Sequence, residues 1–124
     1  MNEQARTRRE KSFWTLAEPL LHQPGVTRST MMGFACLRLD GDFFATCDHR
    51  TGHLVVKLNQ ERVSVLLDSG AAEPFAPSGR PFREWASIPV RRRRSWGGLL
   101  DEALELAAMR KTKSAAPKPR TRRP

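Results

Sequence analysis

Cys47, Asp48, His49 and His53 form the one cluster of metal-ligand side chains in this chain. A zinc site needs three or four such donors converging on a point, and a His-x-x-x-His on a turn supplies only two. The alternative is a solvated turn flanked by a core cysteine, and the spacing favours it. Covalent catalysis has no firmer footing. The sequence holds neither a Gly-x-Ser-x-Gly elbow nor a phosphate-binding loop, and no spacing sets a nucleophile beside a base. The expectation is a protein that binds, without a cofactor or catalytic residues.

The residues suited to binding are cations. Arg91, Arg92, Arg93 and Arg94 run consecutively, and Arg110, Lys111, Lys113, Lys118, Arg120, Arg122 and Arg123 crowd the C-terminal end. These are the candidate contacts to nucleic-acid phosphates. Their distribution is uneven. Residues 1–11 carry four Arg/Lys against two Glu, residues 110–124 carry seven and no acid, and residues 12–109 carry eleven of each sign. The formal charge of +9 therefore belongs to the ends, and the body is neutral. Four arginines before a helix oppose its dipole, so they gain nothing locally and are expected to project into water. Arg80, in the turn-rich segment 76–81, has two readings: an ion pair with Glu73 or Glu84, which is favoured, or a contact to an acidic partner.

Three segments position these residues: a flexible basic stretch over 1–11, one folded domain over 12–109, and a disordered tail over 110–124. The tail has Pro117, Pro119 and Pro124 and little apolar surface to offset the entropy of ordering. Neither a signal peptide nor a membrane-length apolar run is present, so a cytoplasmic location is the default and a membrane is not an expected partner.

Within the domain, Phe13, Leu16, Ala17, Leu20 and Leu21 recur at helical spacing over 12–22, where Pro19 must kink the helix or shift its start. Residues 30–39 look extended, and Asp40-Gly41 signals a two-residue hairpin to a strand over 43–47. Met31, Met32, Phe34, Phe43 and Phe44 are expected in the core. Gly33 and Gly79 mark a turn or a close backbone approach. A second turn over 48–52 leads to a strand over 53–58. Asn59 caps a helix whose stripe is Val63, Leu66 and Leu67 and whose end is Gly70. Short strands over 73–75 and 83–88, a loop over 91–94 and a helix capped near Ser95 complete an α+β domain with an antiparallel sheet.

With Leu39 opposite Asp42, Cys36 faces Ala45 and Cys47 faces Phe34. Both sulfurs then share a sheet face, too far apart for easy bridging and read as buried free thiols.

Met31-Met32-Gly33-Phe34, Asp40-Gly41, Phe43-Phe44, the strand 54–58, Glu73-Pro74-Phe75, and Gly79-Arg80-Pro81 through Trp85 to Pro89 together resemble the TfoX N-terminal domain (TfoX/Sxy) family. Family members commonly read Met-Phe-Gly-Gly at the first of these motifs. The resemblance spans most of residues 12–109, and it implies an α+β domain with an antiparallel sheet, flanking helices and no established catalytic activity. Longer relatives add a C-terminal domain and regulate natural competence; this chain has the basic tail there instead.

Two functions follow as expectations. The first is a small non-enzymatic regulatory or protein-interaction module with an unidentified protein partner, in which sheet edges could pair into a dimer. The alternative is a nucleic-acid-associated protein whose basic ends bind DNA or RNA phosphates without sequence choice.

Overall fold

A computed structural model describes the backbone of residues 3–115 and the side chains of residues 8–111. Six strands form one antiparallel sheet in the order β1-β2-β3-β4-β6-β5. They are β1 Val26–Met31, β2 Phe34–Leu39, β3 Asp42–Asp48, β4 His53–Lys57, β5 Glu73–Pro74 and β6 Trp85–Ile88. Three helices complete the α+β domain: α1 Glu3–Ala17, α2 Gln60–Asp68 and α3 Trp96–Ala115. The sequence-based fold class holds.

Helix extends past the expected domain bounds at both ends. The first helix reaches back to Glu3, through residues read as a flexible segment. Apart from Thr7 this stretch is built from Glu, Gln, Ala, Arg and Lys, all good helix formers, and Arg9 ties it down by donating from Nη1 to the carbonyls of His49 and Arg50. Pro19 then ends α1 in a 3-10 turn over Glu18–His22. At the other end α3 continues to Ala115, past the expected boundary at 109. Arg110 and Lys111 favour this extension, because cations stabilise the negative end of the helix dipole. Of the tail cations, Lys118, Arg120, Arg122 and Arg123 lie outside the described residues.

The extended segment 30–39 is in fact interrupted. Met31 pairs with Phe34 across a two-residue turn at Met32-Gly33, with φ of +53° and +82°. This repeats the geometry of Asp40-Gly41, where φ is +50° and +95°. Met32, expected in the core, is therefore 55% exposed at a hairpin tip. The signal was hidden because methionine is an unusual residue in the left-handed region, where a β-carbon costs roughly 1–2 kcal/mol.

A β-bulge between Leu37 and Arg38 corrects the next expectation. Leu39 pairs with Asp42 as predicted, but Cys36 then faces Thr46 rather than Ala45. The extra residue lets Phe44 and Ala45 both enter the helix-side core. It also separates the cysteines. Cys47 joins that core, while Cys36 stands with Ser29 and Arg38 on the opposite side. Both are buried free thiols, as expected.

Each sheet face is covered differently. Leu37, Leu54, Val56 and Ile88 pack against Phe13 of α1, Val63 and Leu66 of α2, and Trp96, Leu100 and Ala103 of α3. Opposite them, Phe34 and Val55 meet Phe75 and Trp85 from the segment that folds back over the sheet, with Phe43 and Phe82 alongside. The α2 boundaries are as read. Asn59 Oδ1 accepts from the Arg62 N–H at 2.8 Å, and Gly70 and Ala71 N–H groups return to Leu67 and Leu66.

Met32→Asn gives this turn the favoured Asn-Gly pair without disturbing a buried contact. It is expected to raise the unfolding free energy by about 0.5–1 kcal/mol, and Gly33→Ala to lower it by about 1 kcal/mol, both read from denaturant midpoints.

Candidate functional site

The metal-ligand cluster does not assemble. Successive strand residues alternate faces, which sends Cys47 into the helix-side core and Asp48 the other way. Asp48 is instead held by its own turn. Its Oδ1 accepts from the Arg50 N–H at 3.0 Å and from Nε at 2.9 Å, and Oδ2 accepts from Nη2 at 3.0 Å. His49 stacks edge-on against Phe34, with ring centroids 5.0 Å apart. Among the described residues no three of His, Cys, Asp and Glu are placed to hold a metal ion. Burial alone would raise the Asp48 carboxyl. The hydrogen bonds from Arg50, with the charges of Arg50 and His49, carry it below the ordinary carboxylate range.

One pair was not anticipated from sequence. Ser87 Oγ and His53 Nδ1 share a hydrogen bond of 3.1 Å. The residues lie 34 positions apart, and only the β4-β6 pairing, in which Val55 faces Ser87, brings them together. No local motif encodes that register. Ser87 is itself buried between β4 and β5, so its hydroxyl serves the sheet interior.

The cations are more suggestive. Residues 91–94 form a 3-10 turn over Val90–Ser95, not the expected open loop. Pro89 sets its start, the Arg92 N–H donates to the Pro89 carbonyl at 2.9 Å, and the Ser95 hydroxyl donates to the Arg92 carbonyl at 2.8 Å. That last bond means Ser95 closes the turn instead of capping α3. All four arginines are exposed. Arg91 faces Glu73 at 3.8 Å, whereas Arg92, Arg93 and Arg94 make no ion pair or hydrogen bond through their guanidinium groups among the described residues. Arg80 is also exposed and has no ion pair there, so the expected partnership with Glu73 or Glu84 is absent.

Other elements meet this turn. A methyl group added to Gly52 would lie 3.4 Å from the Arg9 carbonyl oxygen and 3.5 Å from Val90 Cγ2, which places α1, the β3-β4 turn and the arginine turn together. The exposed Arg8 neighbours that junction. Trp96 comes two positions after Arg94 and is fully buried, so it anchors the turn and offers no exposed face for stacking. Its indole N–H has no acceptor among the described residues, an omission that costs about 1–3 kcal/mol.

Lys111, of the C-terminal cations, lies elsewhere. Helix α3 has 20 residues, about 30 Å of length, and its Lys111 pairs with Asp40 at the tip of the β2-β3 hairpin. That hairpin closes the sheet end opposite the β3-β4 turn. The two basic clusters therefore start from opposite ends of the domain.

Of the residues carrying the family resemblance, Gly33 and Gly41 shape hairpins, Gly79 shapes the turn closed by its N–H to the Ala76 carbonyl, and Trp85 is core; Met31 is packed beside Phe34. Their roles are structural. No family model, curated protein or solved structure matches this chain.

Two buried groups give pH signatures. Burial pushes the Cys36 thiol up to about 11, against weaker opposing effects of Arg38 and Ser29. A raised folded pKa keeps its stabilisation below the unfolded value of 9.0 and loses it as pH climbs toward 11. The wild-type chain is expected to lose stability against Cys36→Ala across that window, measured by denaturant unfolding. Asp48 has the opposite sign. Its lowered pKa stabilises above 3.8 and fades as acid protonates it. Asp48→Asn is expected to cost about 1–3 kcal/mol at neutral pH, with the gap closing below pH 3.8.

Proposed function

We propose that this chain is a non-enzymatic binding module of the TfoX N-terminal-domain type whose ligand is the phosphate backbone of nucleic acid. The observation that carries this reading is the run of three exposed guanidiniums, Arg92, Arg93 and Arg94, without acidic partners among the described residues and held on a formed turn. Guanidinium forks match phosphate oxygens, and a turn fixed by the buried Trp96 keeps them in place without the entropy cost of ordering a loop. Consecutive like charges beside a helix N-terminus are unfavourable for the free protein, so an anionic ligand relieves them. Binding would be sequence-tolerant, because phosphate contacts orient a protein and do not read bases. The cations at the end of α3 would supply a second, separate contact, and a cytoplasmic setting suits such a ligand.

A second reading is contact with a protein partner or a second copy. It is favoured by β1, an edge strand that among the described residues pairs only with β2 and so presents a side for strand addition.

The two readings separate in a salt titration with a short DNA duplex, followed by fluorescence anisotropy. Phosphate binding predicts a log-log slope of about −0.9 per neutralised phosphate. Replacing all four arginines of the turn with glutamine is expected to reduce the slope by roughly three to four contacts' worth without lowering the melting temperature, since it removes charges that repel one another and oppose the helix dipole. Absence of binding at low salt would remove the nucleic-acid reading and leave strand addition.

A further inference from the structure

The two edges of the sheet are built differently. Strand β5 is two residues long and includes Pro74, whereas β1 runs six residues without a proline or a lysine. Its one charge, Arg28, is drawn over the Trp14 ring, 4.1 Å from the centroid. The hairpin at Met32-Gly33 fixes which backbone groups of β1 face outward. Met31 and Phe34 flank a two-residue turn and exchange both backbone hydrogen bonds, so by alternation Ser29 with Cys36 and Thr27 with Arg38 do the same. The Asp40 N–H, donating to the Gly25 carbonyl at 2.8 Å, keeps the same alternation. Val26, Arg28 and Thr30 therefore turn their N–H and C=O groups away from β2. The Val26 N–H is taken by the Gln23 carbonyl at 3.2 Å, and those of Arg28 and Thr30 have no such partner among the described residues.

We infer that β1 pairs with β1 of a second copy, antiparallel about a two-fold axis at Ser29, joining the two sheets into one. This rests on the strand-addition reading, gives it a single occupant, and is independent of nucleic-acid binding. Register selects the occupant. With Ser29 at the centre, each Arg28 lies opposite the partner's Thr30, and each such pair exchanges both of its backbone hydrogen bonds across the seam. Ser29 meets the partner's Ser29, small side chains where the strands approach most closely, and Met31 meets the partner's Thr27. Other registers match less well. Centring on Arg28 sets like charges directly opposite and calls on the occupied Val26 N–H. Centring on Thr27 also calls on Val26, and centring on Thr30 pairs Arg28 with Met32, which lies in the turn at φ +53°. Since the same six residues supply both sides, a match at one end repeats at the other, as a two-fold interface requires. The seam is narrow, so the dimer is weak and concentration-dependent.

Sedimentation velocity of the full-length protein is expected to show a dimer that gains population between about 10 μM and about 1 mM. Thr30→Pro removes an outward N–H without touching a hydrogen bond between β1 and β2, and is expected to abolish the dimer while the sheet stays folded. Disulfide cross-linking reads the register. In a Cys36→Ala background, which removes the thiol paired with position 29, Ser29→Cys is expected to form an intermolecular disulfide roughly tenfold faster than Thr27→Cys, because only position 29 meets its own copy within bridging distance. A monomer at the highest concentration, a folded Thr30→Pro that still dimerises, or equal cross-linking at the two positions would overturn the inference. The first of these would still leave β1 open to a strand of another protein, so strand addition itself would not fall with it. If Thr30→Pro fails to fold, the comparison of the two cysteine variants decides.

Discussion

The enclosure of Trp96 is the contact on which the arginine turn, the proposed binding surface, depends. It is the first residue of α3 and the last anchor of a turn that carries four adjacent positive charges. Those charges repel one another and oppose the helix dipole, so the turn would open if local forces alone decided. Burying an indole against α1 and the sheet offsets that tendency through apolar area. The charged turn is thereby fixed by the same residue that completes the core, which links packing directly to the chemistry displayed outside.

The rest of the sheet follows from covering both faces. Strands β2, β3, β4 and β6 lie inside the sheet, and a helix layer alone would leave their second face wet. The segment from Phe75 to Trp85 folds over that face and supplies the aromatic side chains that Phe34 and Val55 need. Helix α2 is tied to α3 by the Arg62 to Glu102 pair, with Nε to Oε2 at 2.8 Å. These contacts involve balanced charge, in keeping with a body that is electrically neutral and leaves its excess for the ends.

Much of this was legible in the residues. Asn59 and Gly70 bounded α2 because caps depend on neighbours only a few positions away, and Asp40-Gly41 announced its hairpin for the same reason. Longer-range facts were not. Met32-Gly33 turns with an apolar residue in the left-handed region, so composition pointed to a strand running through it. The bulge at Leu37 and Arg38 arises from the demand to bury Phe44 and Ala45 together, which a simple alternation cannot express. The candidate surface was half visible. Residues 91–94 stood out by charge, but their separation from Lys111 depends on where α3 points. The Ser87 and His53 contact had no sequence signal, since strand order alone creates it.

The central claim, that the arginine turn fixed by Trp96 is the face that meets phosphate, is tested most directly by backbone amide chemical shifts during titration with a short oligonucleotide. The account predicts perturbations concentrated at residues 90–96, with smaller ones in the adjoining β3-β4 turn and the end of α1 that meets it. Shifts confined to the β2-β3 hairpin and the end of α3, with residues 90–96 silent, would contradict it.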